Sequence, residues 1–177
     1  MHIERRGLLI AGAAVAGGLV LGKVADRLGW WDATILGSPD PDDSISRVAR
    51  HEEAVLIRAY DAALADTAIA GQPVAERLGI FRQHHIDHLW ALGGGDTDVA
   101  AAPGPGVAPQ GEPEGTPPLP ALPTDPAGLP AYFSAAEQRH ADLTSTGVRI
   151  ASGGELARLL ALITASETSH VVEWSSG

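Results

Sequence analysis

The sequence predicts an all-α domain built as a four-helix bundle, with a long Pro/Gly-rich crossover between the second and third helices. Three observations lead there. Four long segments place apolar residues at the three- and four-residue recurrence of a helix with one buried face. The chain is rich in alanine, and aromatic residues make up only 5% of it, which favours packed helices over a sheet. Most of its 13 prolines fall in one stretch, residues 93–130, which has no helical period and must be a connection.

The N-terminus stands apart from these helices. Glu4-Arg5-Arg6-Gly7-Leu8-Leu9 leads into an uncharged apolar run, residues 8–22, closed by Lys23. This is the order of a targeting segment, and Arg5-Arg6 resembles a twin-arginine export signal. As a helix the run spans ~22 Å against the ~30 Å of a bilayer core, short for a membrane span. No clean small-x-small site precedes Trp30-Trp31, so an uncleaved anchor, tethered to the membrane through residues 8–22, stays open. A buried N-terminal helix is the bland alternative, but the Gly/Ala-rich run lacks an amphipathic period. Residues 1–23 are therefore read as signal or anchor and 24–43 as a tether.

The first helix is expected over residues 44–69. Ile45, Ala49, Leu56, Tyr60 and Ala63 share a face, with Glu52 and Glu53 on its shoulders. Asp40, Asp42 and Asp43 precede it and suit its positive end. After the turn Gly71-Gln72-Pro73, the second helix should cover residues 73–92, aligning Leu78, His85, Leu89 and Leu92 with Phe81 and His88 beside them, until Gly93-Gly94-Gly95 ends it. A helix pair cannot bury both its stripes alone. The two halves should therefore pack on each other, with residues 93–130 as a disordered crossover. The third helix starts near Pro130 and presents Phe133, Glu137, Ala141, Thr144, Val148 and Ala151 on one face, which carries it through Gly147. Ser152-Gly-Gly-Glu155 then reads as turn and capping box of a fourth helix whose stripe is Leu156, Leu160, Ile163, Glu167, Val171 and Trp174. The bundle spans residues 44–174.

Charge and composition narrow the function. The net charge is −10, and of 12 basic residues only Lys23 is a lysine, so nucleic acid is not an expected partner. The absence of cysteine removes disulfides, thiolate metal sites and a cysteine nucleophile. Neither a phosphate loop nor a dinucleotide fingerprint nor a nucleophile elbow occurs.

What remains is a set of polar residues on inward faces: Glu53 (or Glu52), His85 and His88, Glu137 and His140, Glu167 and His170. Their depths agree. Glu53 lies 18 residues before Gly71 and His88 lies 17 after it; Glu137 lies 14 before Ala151 and Glu167 lies 13 beyond Gly154. If the third helix stopped at Gly147, the last pair would miss by about one turn. Glu-x-x-His on a bundle helix is the ligand unit of carboxylate-bridged dimetal sites, and it occurs at Glu137/His140 and at Glu167/His170. A transition-metal site and a metal-free hydrogen-bond network both account for the set. His84 and His51 are expected to face solvent, and Glu52 to pair with an arginine.

Glu53 with Tyr60, His85-Ile-Asp-His88-Leu, and the run from Ser152 through Glu167-Thr-Ser-His170 resemble the ferritin-like superfamily, in particular exported ferritin-like domains of high-GC Gram-positive bacteria. The resemblance implies a dimetal pattern of Glu, Glu-x-x-His, Glu, Glu-x-x-His. Glu53, Glu137, Glu167 and His170 match it. The second helix departs, offering His85-x-x-His88, and His140 is extra. Exchanging a bridging carboxylate for imidazole removes one negative charge, so the site suits zinc, copper, manganese or a single ferrous ion at least as readily as a ferric pair. The expectation is an exported bundle, secreted or membrane-tethered on the outer side, carried by the twin-arginine machinery. It would hold iron, manganese or zinc, with Tyr60 hydrogen-bonding a ligand. The rival is a metal-free cell-envelope module. Whether it catalyses a reaction, and whether it forms a homodimer, stay open.

Overall fold

A computed structural model describes residues 40–107 and 118–176. The signal or anchor at 1–23, residues 24–39 of the tether, and residues 108–117 of the crossover lie outside the described residues. Within them the chain is helical and contains no strand. No described helix is long and apolar enough to cross a membrane.

The first helix, α1, covers Pro41–Leu64 and so begins and ends earlier than the expected 44–69. Both ends are set by aspartates. Asp40 is the N-cap, its carboxylate accepting from the Asp43 amide at 3.1 Å, and Pro41 takes the first helical position, where its missing N–H costs nothing. Residues 40–43, expected as tether, are thus cap and first turn. At the other end Asp66 accepts from the Ala68 amide at 2.9 Å, and this local bond competes with the helix and bends the chain into a turn. Ile69 still reaches the core from that turn.

The second helix, α2, covers Pro73–Ala91. It ends in a Schellman arrangement: the Gly94 amide donates to the Leu89 carbonyl and the Gly93 amide to that of Trp90, both at 2.9 Å. Gly93 has φ 81°, the left-handed conformation that this ending requires.

The segment expected to be structureless from 93 to 130 needs correction. A short helix, α3, spans Asp96–Ala101, and Ala102 and Leu119 are buried against the core. The Gly106 amide bonds the Leu119 carbonyl at 2.9 Å, and the Tyr132 hydroxyl donates to the Pro120 carbonyl at 3.0 Å. Proline content hid these contacts, because they come from tertiary packing and not from any repeat in the sequence.

The third long helix, α4, covers Leu129–Ile150, passing through Gly147. A Cβ at Gly147 would lie 3.0 Å from Leu160 Cδ1 and 3.3 Å from Ile45 Cγ2, so glycine permits three helices to meet there. The last helix, α5, covers Gly154–Ser175 and carries no side-chain cap. The capping box expected from Ser152 and Glu155 does not form. Asp42 of α1 replaces it from across the fold, accepting from the Ser152 and Gly153 amides at 2.8 and 2.7 Å and from the Ser152 hydroxyl at 3.0 Å.

Consecutive long helices pack side by side, α1 with α2 and α4 with α5; α1 also touches α4 and α2 touches α5. Two apolar clusters result. One gathers Leu56, Tyr60, Leu78, Phe81, Phe133 and Trp174 with their neighbours, and the other Ile45, Val48, Leu92, Leu143, Leu160 and Ile163. Along every long helix the polar candidates fall between the two: Glu53 between Val48 and Leu56, His85 and His88 between Phe81 and Leu92, Glu137 and His140 between Phe133 and Leu143, Glu167 and His170 between Ile163 and Trp174. The core is two apolar layers with one charged layer between them.

Candidate metal centre

All seven candidates meet in that layer. Glu53, His85, Glu137 and Glu167 are 0% exposed, His140 1% and His170 2%, while the His88 side chain is 16% exposed. His85 lies between two carboxylates, with Nδ1 2.8 Å from Glu53 Oε2 and Nε2 3.0 Å from Glu137 Oε1. His88 Nδ1 stands 3.2 Å from Glu53 Oε1 and 3.1 Å from Glu167 Oε1. His140 faces Glu53 at 3.8 Å with Nε2 and Glu167 at 3.6 Å with Nδ1. His170 Nδ1 lies 3.4 Å from Glu137 Oε2 and 3.8 Å from Glu167 Oε2.

These atoms form two overlapping quartets able to hold an ion, Glu53, His85, His140 and Glu167, and His85, Glu137, Glu167 and His170. In each, the ligand atoms lie within 4.8 Å of one another. Bonds of ~2.0–2.2 Å from imidazole and carboxylate to zinc-like ions put neighbouring ligand atoms ~3–3.5 Å apart, so the convergence fits with small side-chain shifts. His85 and Glu167 belong to both quartets. The predicted equal depth of Glu137 and Glu167 is realised, since both sit in the second.

Hydrogen bonding leaves part of the layer unsatisfied. Glu53 Oε1, His88 Nδ1, both nitrogens of His140 and both oxygens of Glu167 are buried without a hydrogen-bond partner. His88 Nδ1 is close enough to two carboxylates, but the directions of approach make no bond. Buried polar atoms left unpaired in this way cost ~1–3 kcal/mol each, more if charged. Convergence on a common point without hydrogen-bond alignment is the arrangement ligands take around a cation.

Electrostatics within the layer pull protons onto imidazole. Burial alone would raise the Glu53 carboxyl, but the charge of His140, the hydrogen bond from His85 and the nearness of His88 outweigh it and hold it at about 2. Burial likewise pushes His88 down, and the Glu167 and Glu53 carboxylates close to its Nδ1 overcome this to carry it up to about 9. His85 and His140 also rise against burial, His85 through Glu137 and Glu167 and His140 through Glu53 and Glu167, while Glu137 falls below the carboxylate range beside His85.

Around the layer, Tyr60 donates its hydroxyl to Glu137 Oε1 and accepts from Trp174 Nε1 at 3.2 Å. Burial, then the Glu137 charge, holds that phenol well above its usual value, so it stays a donor. Glu52 pairs with Arg139 at 2.9 and 3.0 Å, as its shoulder position suggests. His51, half-buried, belongs to neither quartet.

His84 departs from the solvent-facing expectation. Its Nδ1 lies 2.9 Å from His170 Nε2, with the rings stacked at 5.2 Å and 19°. Comparing it only with His85, about 100° away, conceals this; measured from His88, one turn on, it is displaced by only about 40°. Compared with family models, curated proteins and solved structures, the chain matches none.

Proposed function

We propose that the chain is an exported, ferritin-like four-helix bundle that binds a transition-metal ion in its core through Glu53, His85, His88, Glu137, His140, Glu167 and His170. The observation that carries this reading is the set of fully enclosed ligand atoms on Glu53, His140 and Glu167 that lack a hydrogen bond, drawn together from three helices. The charged layer between two apolar clusters supports the bundle, as does the contact of each hairpin with the other. Four imidazoles and three carboxylates suit zinc, manganese or ferrous iron. A bound ion would supply Lewis acidity, and redox capacity as well if it is iron or manganese. Around it, Tyr60 fixes Glu137, and His85 and Glu167 contribute to both ion positions.

Titration with Co²⁺, a spectroscopic stand-in for these ions, tests the reading. The expected result is saturable visible absorption of an ion in a protein ligand field, displaced by Zn²⁺ and abolished in Glu167→Gln. A spectrum that never departs from that of the hydrated ion would remove the metal centre.

A metal-free envelope module is the second reading. One observation favours it: a protonated His85 would satisfy Glu53 and Glu137 at once, at 2.8 and 3.0 Å. That pairing leaves both nitrogens of His140 and both oxygens of Glu167 without a hydrogen bond, and for this reason the metal reading is preferred.

Export rests on Arg5-Arg6 before the apolar run of residues 8–22. Residues 1–40 fused to a folded reporter should carry it across the cytoplasmic membrane, and the double change Arg5→Lys, Arg6→Lys should stop it. Unchanged export of the double variant would eliminate the twin-arginine route.

A further inference from the structure

We infer that His84 is the entry ligand through which a divalent transition-metal cation passes from solvent to the buried centre, handed inward by His170. This rests on the metal-centre reading above and adds a residue outside both ligand quartets.

The centre is sealed on most sides. Its carboxylates are 0% exposed and apolar clusters close it above and below. A cation stripped of water cannot cross such walls without polar partners along the way. The His84–His170 pair provides them. His170 presents Nδ1 to Glu137 at 3.4 Å and to Glu167 at 3.8 Å, inside the second quartet, and Nε2 to His84 at 2.9 Å. His84 is itself only partly buried. One imidazole therefore has a nitrogen in the centre and a nitrogen on a ring that reaches solvent.

The spacing suits the role. Two nitrogens 2.9 Å apart are placed like adjacent ligands of one ion with bonds of ~2.0–2.1 Å. Phe81 stacks on the His170 ring at 4.1 Å and 17°, holding it in the plane that serves both sides. His88, the one partly exposed imidazole among the seven candidates, already has its inward nitrogen on Glu53 and Glu167, so it is a ligand at the rim of the centre.

Rapid mixing of the full chain with Co²⁺, followed by visible absorption, tests the inference in three forms of the protein. His84→Phe keeps a ring against His170 but removes the ligand, whereas His84→Asp removes the ring and keeps a ligand. His84→Phe should load about tenfold more slowly, equivalent to about 1.4 kcal/mol in the entry barrier, and reach the native amplitude at saturation. His84→Asp should recover most of the rate. Native-rate loading by His84→Phe would overturn the inference, as would an aspartate variant as slow as the phenylalanine one, since that marks the ring as mere packing. A native chain giving no Co²⁺ signal would remove the metal reading and this inference together, whereas normal saturation with unaltered rates would remove this inference alone.

Discussion

Stripping divalent cations from the folded chain is expected to lower its melting temperature by about 10–20 °C, and Zn²⁺, Mn²⁺ or Fe²⁺ to restore it. The size follows from linkage: an ion that binds only the folded state adds about 4 kcal/mol at a thousandfold excess over Kd. A bound ion would take as ligands atoms that otherwise lack a hydrogen bond, on Glu53, His88, His140 and Glu167. Glu167→Gln keeps the volume but removes the charge shared by both quartets, so it should abolish most of the response to metal while the helices remain. Thermal melts by circular dichroism, with chelator and with each ion, read both effects. Identical melting under every condition would favour the metal-free network.

The chelated protein should be most stable between about pH 4.5 and 6.5, losing up to about 3 kcal/mol on either side. Glu53 is held at about 2 against a usual 4.5, so its contribution is present above pH 4.5 and disappears as pH falls through 2. His88 is raised to about 9 from 6.5, so its contribution is complete below pH 6.5 and disappears as pH rises through 9. The two displacements record partly the same contact, 3.2 Å between His88 and Glu53, and do not add. His85 and His140 move in the same direction as His88 and steepen the alkaline limb. Metal reverses the sign on that limb. Ligand imidazoles must be neutral, so the ion competes with protons and binds better as pH rises from 6.5 to 9. Urea midpoints against pH, with chelator and with Zn²⁺, should therefore diverge above pH 6.5. Parallel curves would show that ion and protons do not compete for the same nitrogens.

Much of the fold was legible because the long helices obey a 3.6-residue period and the turns carry their own chemistry. Gly93 ends α2 through its left-handed conformation, and Gly147 lies inside α4 where Leu160 and Ile45 approach too closely for a larger side chain. Residue counts from the turns place Glu53 beside His88, and Glu137 level with Glu167, and the structure has both pairs in one layer. The failures share one cause. The cap of α5 comes from Asp42, 110 residues away from Ser152; α3 and Leu119 are settled by packing; and His84 meets His170 across two helices. None of these is a local pattern, and one sequence cannot reveal which distant side chain will arrive.

Elemental analysis bears most directly on the metal centre. The full chain and its Glu167→Gln variant would each be loaded with Zn²⁺, Mn²⁺ or Fe²⁺ and dialysed exhaustively before measurement. A buried centre built on Glu53, His85, His88, Glu137, His140, Glu167 and His170 predicts that the native chain keeps a stoichiometric amount of at least one of these ions and that the variant loses it. Equal retention by both proteins, or no retention of any ion by the native chain, would contradict it.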